Sequence, residues 1–354
     1  MKYALIGCGR ISPNQAAKNN NLDFVAMCDI VPEIMQEKSE RFGLAHVKKY
    51  TDYRELLNAE KPELVAIATE SGKHAAIALD CIEAGCHVII EKPIALSISD
   101  ADAIIAAGKK RGVMICANHQ NRFNKSIQYI RKALEEGRFG KLLHGTAHIR
   151  WNRGQNYYEQ ASWRGTWAQD GGCLMNQCIH NIDLLRWMMG NEIDEVMAYT
   201  DQLAHPYLEA EDLGMALVKF KNGSYGLIEG TTNIYPRNLE ETLYIFGQTG
   251  TAKAGGNSDN IIEEWDFADK KDDPDEVKAT YHENPPSVYG FGHTPLYADM
   301  IDAIKTGRQP YVDGEAGKRA VELVLAIYKS AAEHRPVKFP LKDCSTMDFV
   351  GRFD

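Results

Sequence analysis

This 354-residue chain has no apolar run near the roughly 18 residues needed to cross a bilayer, so an integral membrane protein is excluded. Its first apolar stretch, Tyr3–Ile6, stops at Gly7, and no secretory signal is expected. Basic charge is in short supply, with 40 Lys+Arg against 49 Asp+Glu, a net −9. A nucleic-acid binder usually shows a basic face, so no nucleic-acid partner and no membrane partner are expected. The eight cysteines form no C-x-x-C pair, and a chain this long needs no disulfide staples. Reduced thiols and a cytoplasmic location follow as expectations. None of the eleven histidines has H-E-x-x-H spacing, so no metal site is expected. Internal repeats and low-complexity linkers are absent as well.

What is present is the balance of a globular protein, 44% hydrophobic and 25% charged. At about 150 residues per domain the length suggests two domains. In the first ~120 residues short apolar runs alternate with longer polar segments. Tyr3–Ile6, Phe24–Cys28, Leu64–Ala68, His87–Ile90 and Val113–Cys116 read as strands. Helices are expected over Lys73–Ala84, stopped by Gly85, and over Ala101–Lys110, between Ser99 and Gly112. Buried runs separated by helices indicate βαβ units and a parallel sheet.

The texture changes after Asn121. Helices are expected over Asn124–Glu136 and Cys173–Met189, with a strand over Leu142–Trp151 between them. The stretch 152–172 reads as irregular. Consecutive strands then run to Phe267, with hairpin turns at Lys221-Asn222-Gly223-Ser224 and Gln248-Thr249-Gly250. Ala268–Glu276 reads as a solvated loop, and Tyr297–Thr306 and Gly314–Glu333 as closing helices. The expected architecture is α/β: a dinucleotide-binding domain over residues 1–120, then an α+β domain over 121–354 with a large, mostly antiparallel sheet that binds substrate and forms oligomers.

Gly7-Cys8-Gly9 follows the first strand and Arg10-Ile11-Ser12 follows it, giving G-x-G-x-x-S. At this glycine content G-x-G arises about twice by chance, and it does occur twice, the other being Gly290-Phe291-Gly292. Position separates them. Gly7 ends an apolar strand at the start of a βαβ unit, where a tight turn can place a pyrophosphate at a helix N-terminus. Asp29 ends the second strand 20 residues after Gly9, where a carboxylate accepts hydrogen bonds from an adenosine ribose. Ile30 and Val31 bring no cation for a 2′-phosphate, and Asp29 repels one. The cofactor expected is NAD rather than NADP.

Glu91-Lys92-Pro93 follows the strand His87–Ile90. With Gly7-Cys8-Gly9, Asp29 and Gly85-Cys86-His87-Val88, it resembles the Gfo/Idh/MocA family of sugar oxidoreductases, from Tyr3 to about Pro340. The resemblance implies that Lys92 lies beside the nicotinamide and the reacting sugar carbon, often with a cis bond to the proline. It also implies cofactor contacts from Gly7, Gly9, Arg10, Ile11, Asp29, Thr69, His74, Glu91 and Lys92. Gly171-Gly172-Cys173-Leu174-Met175-Asn176-Gln177-Cys178-Ile179-His180 resembles the family's glycine-led helix, with His180 matching its histidine. Asn176 stands where many members have Asp. The i, i+4 spacing puts Asn176 and His180 on one helical face. Asp183, three residues beyond His180, is a candidate for orienting the imidazole.

Trp151, Tyr157-Tyr158, Trp163-Arg164-Gly165-Thr166-Trp167, Asn176-Gln177, Tyr235-Pro236-Arg237-Asn238 and Ser287-Val288-Tyr289-Gly290-Phe291-Gly292-His293 look like one subgroup. That subgroup is the WlbA-type bacterial UDP-N-acetyl-2-amino-2-deoxyglucuronate 3-dehydrogenases of surface-polysaccharide sugar synthesis. Such a substrate carries a diphosphate and a carboxylate, which the arginine fork suits. Arg164 and Arg237 are the leading anion contacts, then Arg122 and Arg153; His293 is a further substrate contact, and Trp163 and Trp167 are ring-stacking candidates. NAD⁺ is expected along the first domain's strand ends. Lys92, His180, Asn176 and Asp183 form the expected catalytic set, His180 as base and Lys92 as the cation that positions the hydroxyl. The resemblance implies a homodimer or homotetramer. Alternatives within the same fold are another sugar or inositol dehydrogenase and an NAD-dependent glycosidase.

Overall fold

The short apolar runs form a parallel sheet because each is buried on both faces. In the computed structural model, which describes every residue except 10–13, 257, 284 and 286–289, six strands build it. They are β1 (Lys2–Ile6), β2 (Asp23–Cys28), β3 (Lys48–Tyr50), β4 (Leu64–Ile67), β5 (His87–Glu91) and β6 (Ile115–Asn118). The order is β3-β2-β1-β4-β5-β6, all parallel. β1 lies between β2 and β4, so the chain reverses direction across the sheet at Gly7, the switch point where such sheets bind ligands. β4 has no exposed residue. β3 was not among the expected strands: Lys-Lys-Tyr has no apolar run, and as an edge strand it leaves both lysines in solvent.

Helices connect these strands. His74–Glu83 and Ile98–Arg111 match the expected segments within a few residues. Ser97, not Ser99, caps the second, its hydroxyl accepting from the Asp100 amide at 3.0 Å, and Gly112 ends it in the left-handed region. The compact unit that contains this sheet comprises Met1–His119 and also His293–Lys318. A single boundary at residue 120 therefore does not describe the chain, since the helix His293–Thr306 returns to the first unit. There Tyr297 is buried, with its hydroxyl 3.3 Å from that of Tyr3.

The second unit comprises Gln120–Gly292 and Arg319–Asp354. Its strands are β7 (Leu142–Arg150), β8 (Ile193–Asp201), β9 (Leu213–Phe220), β10 (Tyr225–Thr231), β11 (Glu240–Gly247), β12 (Gly250–Gly255), β13 (Ile261–Phe267) and β14 (Val337–Lys338). They pair in the order β13-β12-β11-β7-β10-β9-β8-β14, antiparallel except for β7 with β10. Both expected hairpin turns are present, joining β9 to β10 and β11 to β12. Burial alternates along β9 as expected of a sheet with one packed and one open face. Against the packed face lies the helix Ile179–Met189, in which every residue is buried. The stretch 268–276 is not simply a solvated loop: Asp269 and Asp272 hold the buried Arg138 at 2.9 and 2.5 Å, and Asp273 caps a helix over Pro274–Thr280.

Candidate active site

The turn after β1 has its shape because position 7 lacks a side chain. Gly7 has φ +90°, and a Cβ there would lie 2.5–2.6 Å from the Ala68 and Thr69 backbone. Its amide donates to the Cys28 carbonyl at 2.9 Å, tying the turn to β2. Among the described residues, no heavy atom lies within 4 Å of a Cβ built at Gly9. The Asp29 carboxylate accepts from the Cys8 amide at 2.7 Å and the Val31 amide at 3.0 Å, which fixes it at the mouth of the turn. A glycine turn open on one face, with a fixed carboxylate beside it, fits a dinucleotide. Arg10 and Ile11 lie outside the described residues, as do Ser287, Val288 and Tyr289. Ile30 and Val31 bring no cation, yet Lys38 does: its buried Nζ donates to the Gly9 carbonyl at 3.0 Å.

At the end of β5, Lys92 is half-buried and its bond to Pro93 is cis. His74 is buried, with Nδ1 2.7 Å from the Pro93 carbonyl and Nε2 3.1 Å from that of Thr69. His74 thus ties the turn after β4 to Lys92-Pro93. Burial pushes the Glu91 carboxyl up to about 7, with the neighbouring Lys92 charge pulling it back. Glu91 accepts from the Asn118 amide and lies 3.9 Å from His293 Nε2. Burial depresses His293 to about 4, so at pH 7 its ring is neutral. His293 thus sits beside Glu91 in the first unit.

In the second unit the glycine-led helix opens with a π turn over Leu174–Cys178 before continuing as α-helix. Gly172, at φ +99°, makes room for Glu211: a Cβ there would lie 2.0 Å from Glu211 Oε2. Glu211 Oε1 accepts from the Leu174 amide and the Tyr328 hydroxyl, each at 2.7 Å, and so caps the helix from a distant loop. Burial raises this carboxyl to about 8.

Asn176 is held on both sides of its amide. Nδ2 donates to Asp170, and Oδ1 accepts from Gln177 Nε2 at 2.8 Å. Gln177 also donates to the Tyr157 hydroxyl at 2.9 Å and accepts from Arg153 Nε at 2.9 Å. Arg164 donates to the same hydroxyl at 2.6 Å. The guanidinium carbons of Arg153 and Arg164 lie 5.2 and 4.3 Å from the Tyr157 ring centroid, and Arg164 also covers Trp163 at 4.5 Å. Arg153 gains a further acceptor in Asn238 Oδ1 at 3.0 Å. Among the described residues neither arginine meets a carboxylate, although acidic residues outnumber basic ones by nine. Arg164 Nε is buried with no hydrogen-bond partner among the described residues. Two guanidiniums held by neutral groups form an anion-binding arrangement.

Other expected site residues are placed differently. Arg122 grips Asp183 through a fork of 2.7 and 2.6 Å, both side chains buried, with Trp187 packed on the guanidinium at 4.8 Å. Arg122 is thus engaged as a buried structural cation, and its fork reaches both oxygens of Asp183. Gln120 lies beside His180, its Nε2 3.5 Å from His180 Nε2. Arg237 is exposed, and its neighbour Asn238 joins the network in its place. Trp167 is core, packed on Tyr328, Phe349 and Phe353. Sequence reasoning assigned no role to Lys38, Gln120, Asp170 or Glu211. Tyr157 and Gln177 did lie in the aromatic and Asn-Gln motifs.

Comparison with known proteins agrees with this geometry. Residues 1–119 match the oxidoreductase family model for an NAD-binding Rossmann fold, and residues 131–339 match that family's C-terminal alpha/beta domain. The chain is similar to the WlbA dehydrogenase of Bordetella pertussis, solved with NADH and UDP-GlcNAcA, at 35% identity and TM-score 0.87 over 97% of this chain and 98% of that one. A WlbA dehydrogenase from Chromobacterium violaceum with the same ligands gives 34% and 0.87 over 97% and 96%. The myo-inositol 2-dehydrogenase of Thermotoga maritima is 27% identical over 96% of this chain and 98% of its own length.

Proposed function

The chain belongs to the Gfo/Idh/MocA oxidoreductase family as an NAD-dependent sugar dehydrogenase, and on that premise we propose that its substrate is a UDP-linked N-acetylated sugar acid. It oxidises the 3-hydroxyl of a UDP-N-acetylglucosaminuronate-like sugar to the 3-keto sugar, for surface-polysaccharide sugar synthesis in the cytoplasm. The observation that carries this reading is the pair Arg153 and Arg164, held around Tyr157 with no carboxylate partner among the described residues. Such a substrate brings a diphosphate and a carboxylate, and charge-assisted hydrogen bonds to guanidinium are the strongest available to it. The two WlbA dehydrogenases solved with UDP-GlcNAcA support the same class.

NAD⁺, when bound, supplies the hydride acceptor; Gly7, Gly9 and Asp29 hold it. His180 takes the hydroxyl proton, imidazole being the side chain most often used as general base. Lys92 donates to the reacting oxygen and orients it. Asn176 is a positioning residue whose amide Asp170 and Gln177 lock. The open face of the second unit's sheet exposes Tyr199, Met215, Leu217, Tyr225 and Leu227 on adjacent strands. An apolar patch of this kind suits a subunit contact, and a homodimer or homotetramer is part of the proposal. Light scattering on the purified protein tests it, and a monomer at micromolar concentration refutes it.

The reaction is tested by NADH absorbance with NAD⁺ and UDP-N-acetylglucosaminuronate, UDP-N-acetylglucosamine, UDP-glucuronate, glucose and myo-inositol. An aminotransferase is added to draw off the keto sugar. Signal with the first compound alone is expected. Signal only with inositol or free sugars overturns the nucleotide-sugar reading in favour of the second reading, which the Thermotoga relative favours. Glycoside hydrolysis without net NADH overturns the dehydrogenase direction altogether.

A further inference from the structure

The adenosine end of the dinucleotide turn holds two opposite charges on one short piece of backbone. Asp29 Oδ2 accepts from the Cys8 amide at 2.7 Å, and the carbonyl of the next residue, Gly9, accepts from Lys38 Nζ at 3.0 Å. Lys38 is 7% exposed. Burial pulls its pKa below the ordinary lysine value, while Asp29 and Glu37 pull it up and Arg41 pulls it down. A buried ammonium is costly to keep, and among the described residues this one has no carboxylate in ion-pair contact. Of its three donors, Gly9 engages one among the described residues. Among the described residues, nothing lies within 4 Å of a Cβ built at Gly9.

The Asp29 carboxylate suits the two ribose hydroxyls of NAD and repels a 2′-phosphate. An ammonium hydrogen-bonded to the carbonyl of the next residue, Gly9, would attract that phosphate. We propose that Lys38 is a specificity-determining residue, a latent cation for the 2′-phosphate of a 2′-phosphorylated dinucleotide, which the charge of Asp29 keeps from acting. The preference for NAD then rests on one carboxylate, because the complementary cation is already built into the helix Pro32–Phe42.

The test is direct binding of NADPH and NADH, followed by nicotinamide fluorescence on the full chain, in four forms: unaltered, Asp29→Ser, Asp29→Ser/Lys38→Gln and Asp29→Ser/Lys38→Arg. Glutamine keeps a donor for the Gly9 carbonyl without the charge. The ratio of the two Kd values cancels any general loosening of the turn, and Arg10 is unchanged in every form. NADH binding by the unaltered protein separately checks the dinucleotide reading on which the proposal rests. Asp29→Ser is expected to move the ratio toward NADPH by about 10–100-fold, the equivalent of one charge-assisted hydrogen bond. Lys38→Gln should take back at least about tenfold of that gain, and Lys38→Arg should keep most of it. The proposal is overturned if Asp29→Ser leaves the ratio unmoved, or if the gain is the same with and without the Lys38 charge.

Discussion

The two units build their functional groups by opposite means. In the first, each group sits within a few residues of a strand end, and backbone places it: the Gly7 turn after β1, Asp29 after β2, Lys92 after β5. In the second, side chains place one another across long stretches of sequence. Arg122 meets Asp183 from 61 residues away, Leu174 is capped by Glu211 from 37, and Arg153 reaches Gln177 from 24. A backbone-built site tolerates change around it but not at its glycine. A side-chain lattice spreads the cost, and its members are harder to separate into catalytic and structural.

The largest effect that sharpens this contrast is expected at Asp183. Asp183→Asn leaves the buried Arg122 charge uncompensated, and denaturant unfolding of the second unit should show a loss of about 3–5 kcal/mol. A combined Arg122→Met/Asp183→Leu variant should recover most of it. If Asp183→Asn unfolds like the unaltered protein, the pair is not part of the scaffold.

Next is Glu211. Its folded carboxyl keeps a proton up to about pH 8, whereas in the unfolded chain it ionises near the ordinary 4.5. The stability it contributes is full below pH 4.5 and is lost as pH rises through 8, at about 1.4 kcal/mol per pH unit. Glu211→Gln should flatten that slope in melts taken between pH 5 and 8. An unchanged slope assigns the titration elsewhere.

In the first unit Gly7→Ala forces both a left-handed backbone and a backbone clash, a cost of at least about 2–3 kcal/mol. NADH affinity should fall about 30–100-fold while sugar-nucleotide affinity holds. The smallest expected effect is Arg164→Gln. It removes one charged donor, so the Kd for the UDP-sugar acid should rise about 10–100-fold with NADH binding unchanged. Equal losses of both ligands in either variant would erase the distinction between the two designs.

The same contrast explains what could be read in advance. β1, β2, β4, β5 and β6 announced themselves because strands buried on both faces need continuous apolar runs; β3 is an edge strand of Lys-Lys-Tyr and gave no such signal. Gly7 and Asp29 were legible because a turn and a strand end have local signatures. Ser99 was expected as a cap, but Ser97 lies within the same reach and the helix starts there. Asp183 was expected to orient His180 on spacing; its fork with Arg122, 61 residues away, is tertiary and had no local signal. Spacing also does not reveal the π turn over Leu174–Cys178. Lys38 lies on an ordinary polar helix; only the fold brings its ammonium to Gly9.

The central claim is hydride transfer from C3 of a UDP-sugar acid to NAD⁺. UDP-N-acetylglucosaminuronate carrying deuterium at C3 is incubated with the protein, NAD⁺ and an aminotransferase, and the nicotinamide product is analysed by mass spectrometry. The account predicts reduced cofactor heavier by one mass unit, formed more slowly than with unlabelled sugar. Unlabelled NADH, or deuterium lost to solvent with no reduced cofactor, would contradict it.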